Sequence, residues 1–189
     1  MKRKIISGVL ILFATVTTVK AQNSDNSSQQ KSKRRYGNLA VNLDSFKGFT
    51  IPPIMLTAEL VYNDTLSWEV GVIGSYASTE DNIMGYSVSS SVLSYGPYIG
   101  GNYYLNNLLK LDMDKFTLSG GAGVSYAMAM TTTEIQGNKQ TTNGGSFGIG
   151  ANVKGRYFFT PKVALLARVD FAKGGTAIYA GLSFLTSRK

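Results

Sequence analysis

Segments in which apolar and polar residues alternate with a period of two recur along most of the chain. Apolar side chains take every second position within residues 39–43, 54–62, 66–76, 93–103, 116–128, 147–159, 163–171 and 178–184. Successive side chains of a β-strand point to opposite faces, so the pattern predicts eight strands, each with one apolar face. From Tyr36 onward there is no helical period of useful length and no apolar run long enough for a membrane-spanning helix.

The composition of the opposite face distinguishes two kinds of β-protein. A soluble sandwich buries its apolar face, whereas a membrane barrel turns that face toward lipid. Here the opposite face is rich in Ser, Thr, Asn, Gly and Ala. A soluble surface would carry roughly 25–35% charged residues, a larger share than this face has. Its few charges are Glu59, Glu69, Lys154, Arg156, Arg168 and Asp170. The pattern favours an all-β, eight-stranded antiparallel up-and-down transmembrane β-barrel with a narrow, filled lumen.

Aromatic residues concentrate near the ends of the predicted strands, which are about 9 to 11 residues long, the length of a tilted membrane crossing. One group is expected to form an aromatic girdle at one membrane interface: Tyr62, Trp68, Tyr103, Phe116, Tyr157, Phe159 and Phe184. A second group is expected at the other interface: Phe46, Tyr76, Tyr126, Phe147 and Phe171.

Composition removes several function classes. The 189 residues include no Cys and no His, which excludes thiolate nucleophiles, Cys/His zinc sites and imidazole-based triads. The net charge of +8 comes mostly from the first 35 residues, so the barrel gives no electrostatic reason to expect a nucleic-acid partner. Gly148-Ile-Gly150 lacks the third glycine of a dinucleotide site, and Asp112-Met-Asp114 lacks the glycine and closing Glu of a calcium loop. We expect no cofactor, no metal and no enzymatic activity.

The chain divides into three parts. Residues 1–21 combine a basic start, a short apolar run and small residues before Gln22, which predicts a cleavable signal peptide cut after Ala21. Residues 22–35 contain no apolar residue and predict a flexible polar tail. Residues 36–189 form the predicted barrel domain.

The charged residues of the predicted lumen are expected to form one network. A tight turn at Asn63-Asp64 places Glu59 opposite Glu69, and a turn at Thr160-Pro161 places Lys154 opposite Arg168 and Asn152 opposite Asp170. Arg156 follows one step below Lys154, and the acids face the bases across the barrel. The arrangement predicts an ion-pair plug. A gate for a narrow ion path and a carboxylate pair of the retaining-glycosidase type remain alternatives.

Loop lengths predict the orientation. With the N-terminus in the periplasm, short turns lie inside, and the longer polar loops of residues 78–90 and 131–144 lie outside. Any surface ligand is expected at those two loops.

The segments Tyr95–Leu105 (YGPYIGGNYYL) and Ile178–Phe184 (IYAGLSF), with the signal and the eight alternating segments, resemble the small outer-membrane β-barrel family of the OmpA/OmpX type. The resemblance implies insertion in the outer membrane of a Gram-negative cell, with outer-membrane lipid and the barrel-assembly machinery as partners. The predicted function is a structural or surface-interaction protein of the cell envelope with a plugged lumen. A narrow, porin-like pore for small solutes and a secreted soluble β-sandwich or barrel that binds a ligand are the alternatives.

Overall fold

The computed structural model of the protein describes residues 34–44, 50–83 and 86–187. The predicted signal peptide, most of the polar tail and Phe46 lie outside these ranges. The strands are β1 (Arg35–Asn42), β2 (Ile51–Val61), β3 (Leu66–Ile83), β4 (Tyr86–Tyr104), β5 (Phe116–Ile135), β6 (Asn138–Phe158), β7 (Val163–Ala172) and β8 (Gly175–Ser187). A short helix, α1 (Asn106–Leu109), lies between β4 and β5. β1 begins at Arg35, one residue before the predicted domain boundary.

Every strand pairs antiparallel with its neighbours in the chain, and β1 also pairs with β8. The sheet therefore closes on itself, which confirms the predicted eight-stranded up-and-down barrel. A single closed sheet is incompatible with the two-sheet sandwich that the sequence left open. No helix of the described ranges is long and apolar enough to cross a membrane.

The apolar faces of the strands point outward. In β3, Leu66, Trp68 and Val70 are exposed, whereas Ser67 and Glu69 between them are buried. β6 and β7 show the same arrangement, with Val153 and Leu165 exposed and Lys154 and Arg168 buried. The barrel thus has an apolar outer surface and an interior that holds its buried charges together with a small apolar cluster around Met55 and Leu166. Charged residues inside and apolar residues outside are the reverse of a soluble protein.

The predicted strand lengths are wrong for the middle of the barrel. β3 to β6 have 18, 19, 20 and 21 residues, and they continue past the ends of β2 and β7. β2 begins opposite Tyr76 and β7 ends opposite Gly150, so beyond these points β3 and β6 each have a partner on one side only. We call this four-stranded extension the protruding sheet; it comprises residues 77–83, 86–94, 127–135 and 138–149.

The protruding sheet replaces the two long loops predicted at residues 78–90 and 131–144. Ser78 pairs with Ser91 and Thr131 with Thr142, so both segments are mostly strand. The β5–β6 hairpin turns at Gln136 and Gly137, whose φ angles are 52° and 82°, the left-handed conformation that a two-residue hairpin turn requires. Both segments are rich in Ser, Thr and Asn, which are common in loops. They nevertheless form strands here, because neighbouring strands supply hydrogen-bond partners.

The remainder of the barrel, where all eight strands are present, is called the closed half. On its inner wall, the ring of Tyr98 lies against Gly100 and Gly123. A Cβ atom on Gly123 would stand 2.6 Å from the Tyr98 ring, so glycine is required for this close approach. The end of the closed half away from the protruding sheet holds the short turns, and we call it the turn end.

Candidate functional site in the lumen

Two tight turns set the register of the charged residues. The Asn63 side chain accepts hydrogen bonds from the backbone N–H groups of Thr65 (2.9 Å) and Leu66 (2.7 Å), which fixes the β2–β3 turn. The resulting register pairs Glu59 with Glu69, as the turn position predicts. Across the barrel, the Thr160 hydroxyl accepts from the backbone N–H of Val163 at 3.0 Å.

That second turn sets the pairing of β6 and β7. Lys154 lies opposite Arg168, and Asn152 lies opposite Asp170. β6 and β7 stand four strands away from β2 and β3 around the closed sheet, so the two sets of charges meet across the lumen.

The six charged residues of the lumen form one chain of ion pairs whose sign alternates along its length. Its order is Arg156, Glu59, Lys154, Glu69, Arg168 and Asp170. Lys154 stands in the middle, with its Nζ 2.7 Å from Glu59 Oε2 and 3.1 Å from Glu69 Oε2. With three bases and three acids, this series of ion pairs has no net charge. Five of its six side chains are essentially inaccessible to solvent.

Beyond Lys154, one ion pair lies toward the turn end and two lie toward the protruding sheet. Arg156 Nη2 is paired with Glu59 at the turn end. Toward the protruding sheet, Arg168 donates from Nη1 to Glu69 (3.0 Å) and from Nε to Asp170 (2.6 Å). Asp170 is partly exposed, whereas Arg156 at the other end of the series is fully buried. The series of charges therefore runs from the buried interior to the open part of the barrel.

Neutral side chains complete the hydrogen bonding of the two glutamates. Tyr104 donates its hydroxyl proton to Glu59 Oε1 at 2.8 Å, and Ser67 donates to the same oxygen. Glu69 Oε1 accepts from Thr57 (2.6 Å) and from the Asn38 amide (3.2 Å). A buried carboxylate without such donors would carry an uncompensated desolvation penalty, so these contacts make the buried charges tolerable.

Arg156 is satisfied in the same way. Its Nε donates to the Ser183 hydroxyl (2.9 Å), Nη1 to the Tyr104 hydroxyl (3.2 Å) and Nη2 to Asn38 Oδ1 (3.3 Å). The guanidinium carbon also stands 4.5 Å from the centre of the Tyr36 ring. This geometry gives the cation hydrogen-bond and cation–π partners together.

Two tyrosine rings cover two of the three cations of this ion-pair chain. Tyr36 covers Arg156 at the turn end, and Tyr98 lies 4.8 Å from the guanidinium carbon of Arg168 toward the opposite end. Asp170, the last member, lies beyond Arg168. A small cavity of about 90 Å³ follows beyond Tyr98, lined in part by Ser125, Gly148, Asn152 and Asp170.

The chemistry available to this site is limited by its contacts. Glu59 and Glu69 are both fully buried and both bound to cations, so neither presents a free carboxylate to a substrate. No group of three or more His, Cys, Asp or Glu side chains in the described part of the chain is arranged to hold a metal ion. What the arrangement supports is cross-linking of β2, β3, β6 and β7 through the interior.

The residues of the expected first girdle all lie at the turn end and face outward. Tyr62, Trp68, Tyr103, Tyr157 and Phe159 are exposed, and Phe116 and Phe184 are half-buried. They stand at the turn-end limits of β2 to β6 and of β8.

The pattern of the sequence did not identify the neutral partners of the ion pairs. They all occupy inward positions, within the predicted strands or at most three residues beyond them: Tyr36, Asn38, Thr57, Ser67, Tyr98, Tyr104 and Ser183. Combining strand parity with the register of each turn would have selected the inward hydroxyl and amide groups nearest to Glu59 and Glu69.

The comparisons with known proteins bear on the fold. No family model matches the chain, and no curated protein matches it. Among solved structures, a major outer membrane protein from Thermus thermophilus is similar with a TM-score of 0.53 and 12% identity, over 80% of this chain and 98% of that one.

Two further similar structures have lower scores. The Yersinia pestis attachment invasion locus protein Ail, in complex with the heparin analogue sucrose octasulfate, gives a TM-score of 0.48 and 14% identity over 81% of this chain and 97% of that one. Neisserial surface protein A gives 0.45 and 15% over 82% and 96%. With its closed sheet of eight strands, the chain has the barrel fold found in small outer-membrane proteins.

Proposed function

We propose that the protein is an integral outer-membrane β-barrel with a structural and surface-interaction role, and that the ion-pair chain closes its lumen. The observation that carries the proposal is the inverted distribution of side chains. Apolar residues such as Leu118, Val153 and Val169 face outward, while Glu69 and Arg168 are buried inside. Lipid is the surrounding medium in which that arrangement is favourable.

The height of the apolar surface supports a membrane crossing. The outward positions of β3 are uncharged from Leu66 to Ser78, and the first outward charge is Glu80. The apolar part, Leu66 to Tyr76, spans ten residue steps, which is about 25 Å along the barrel axis for a strand tilted by about 40°. Outer-membrane barrels carry an apolar band of about this height.

The contacts around the ion pairs support closure of the lumen. Lys154 bridges Glu59 and Glu69 across the barrel. The Tyr36 ring covers Arg156 at one end of the series of charges, and the Tyr98 ring covers Arg168, which precedes the last member. A gate would need a charged group with an alternative partner within reach of solvent. Asp170 is the one partly exposed member, so the small cavity beside it supports a narrow pore only as the second candidate.

The surface role belongs to the protruding sheet. Among the described residues, its outermost strands, 77–83 of β3 and 138–149 of β6, have a strand partner on one side only. The unpaired backbone groups along these edges are able to bind an extended segment of another protein by adding a strand. With the N-terminus in the periplasm, the sheet projects from the cell surface, where such a partner is reached.

Membrane fractionation and gel mobility test the proposal. The folded protein is expected in the outer-membrane fraction, and it should migrate differently before and after boiling in detergent. A soluble ligand-binding barrel would remain in the aqueous fraction, and that result would overturn the proposal. Planar-bilayer recording of the refolded barrel is expected to show no stable open state; a conductance that disappears in Glu59→Gln would favour the pore instead.

A further inference from the structure

The turn end exposes apolar side chains beside a base. In the link between β4 and β5, Leu108 is 74% exposed and Leu109 is 49% exposed, and the next residue is Lys110. The link is held against the barrel because the Asn106 amide donates to the Phe116 carbonyl (2.6 Å) and accepts from the Leu118 N–H (2.9 Å). Two exposed leucines next to a lysine form the pattern that inserts into a lipid headgroup boundary.

Arg35 is a second basic group at the turn end. It occupies an outward position of β1, directly opposite Leu60 of β2, and Leu60 is in turn opposite Trp68 of β3. An outward arginine is costly at the centre of a bilayer and nearly free at its interface. Its place among girdle residues therefore marks the level of the lipid phosphates.

The described charges outside the lumen divide unevenly between the two ends. The turn end has five bases and three acids: Arg34, Arg35, Lys110, Lys115 and Lys162 against Asp64, Asp112 and Asp114. The opposite end has four acids and two bases: Asp44, Glu80, Asp81 and Glu134 against Lys139 and Lys173. The end that carries the exposed leucines is thus the positively charged one.

We propose that the turn end is a binding surface for anionic phospholipid headgroups, in which Arg35 and Lys110 contact lipid phosphate while Leu108 and Leu109 enter the acyl boundary. The inference rests on the proposed function, since it requires the barrel to span a bilayer. It adds a lipid class and a side: the leaflet at the turn end should be enriched in anionic lipid around the barrel. One base near such a surface contributes about 1 kcal/mol, which is about a fivefold preference.

The protein contains a reporter at the right place. Trp68 is the one tryptophan of the sequence, and it lies at the turn end. The barrel is refolded into vesicles that contain increasing amounts of brominated phosphatidylglycerol or of brominated phosphatidylcholine. Bromine quenches the fluorescence of Trp68 on contact, so the extent of quenching reports which lipid is adjacent. We expect about fivefold preference for phosphatidylglycerol, and a loss of it in Arg35→Gln and in about 1 M salt, where the Debye length is about 3 Å.

Matched controls distinguish this surface from general membrane binding. Lys139→Gln, at the opposite end, should leave the preference unchanged, and a Trp68→Phe/Phe171→Trp barrel should report equal quenching by both lipids. Equal quenching of wild-type Trp68 by both lipids, or a preference that survives Arg35→Gln, overturns the inference. If Arg35→Gln does not fold, the salt titration of the wild-type protein decides alone.

A label at Leu108 tests the apolar part. The sequence has no cysteine, so Leu108→Cys carries one environment-sensitive fluorophore. A blue shift on insertion into vesicles is expected. Emission typical of water would place position 108 outside the acyl boundary and overturn this part of the inference. Heat-modifiable mobility of the same samples establishes insertion separately, so failure of lipid selection and failure of the membrane proposal give different results.

Discussion

The closed half and the protruding sheet belong to the same strands, yet their inward faces differ sharply. In the closed half an inward side chain meets residues from the opposite wall, and Glu59 and Lys154 meet there at 2.7 Å. In the protruding sheet β1, β2, β7 and β8 have ended, and inward positions such as Ala129, Thr131 and Gly144 face no opposite strand of the described residues. A strand can thus carry buried charge only where another strand supplies the counter-charge.

Removal of the central base, Lys154, should change the stability of the barrel the most. Lys154→Met leaves Glu59 and Glu69 without their shared cation, and we expect the free energy of unfolding to fall by about 3–5 kcal/mol. The measurement is a urea titration in lipid vesicles followed by gel mobility.

The matched change in the protruding sheet is Lys139→Met, which breaks the exposed pair with Glu134. An exposed pair contributes about 0–1 kcal/mol, so a small loss is expected. Equal losses in the two variants would contradict the distinction between the two regions.

Charge placed on the outer face should have the next largest effect. Val124 lies near the middle of the uncharged part of β5, and Val124→Arg is expected to cost about 2–4 kcal/mol, measured by the same titration. Thr132→Arg, outward but in the protruding sheet, should cost less than about 1 kcal/mol, because the proposed arrangement places that position outside the membrane. A comparable loss at both positions would place the protruding sheet inside the bilayer.

The smallest expected change in stability comes from substitution of two inward glycines. Gly123→Ala pushes a methyl group against the Tyr98 ring, and overpacking of this kind costs about 1–3 kcal/mol. A Cβ atom on Gly144 would have no other atom within 4 Å, so Gly144→Ala should change stability by less than about 0.5 kcal/mol. If both variants unfold at the same urea concentration, the Tyr98 ring does not pack closely against Gly123.

The sequence predicted the strands, their outward faces and the pairing of Glu59 with Glu69 because these depend on local features. Alternation assigns each residue to a face, and a tight turn fixes the register of the strands that it joins. The extra length of β3 to β6 could not be predicted, because Ser, Thr and Asn are common both in loops and in exposed strands. The partners of Arg156 were missed since Tyr104 and Ser183 are brought to it by curvature of the whole sheet.

Pairing of β1 with β8 carries a consequence for biogenesis. The first and last strands of the barrel form its seam, with Val41 opposite Ala180 and Leu39 opposite Leu182. Until β8 arrives, β1 and β7 would each present a row of unpaired amides and carbonyls to hydrocarbon, which a bilayer does not tolerate. A polypeptide truncated before residue 175 would lack β8 and could not close the sheet. Stable insertion therefore requires the complete hairpin of β7 and β8.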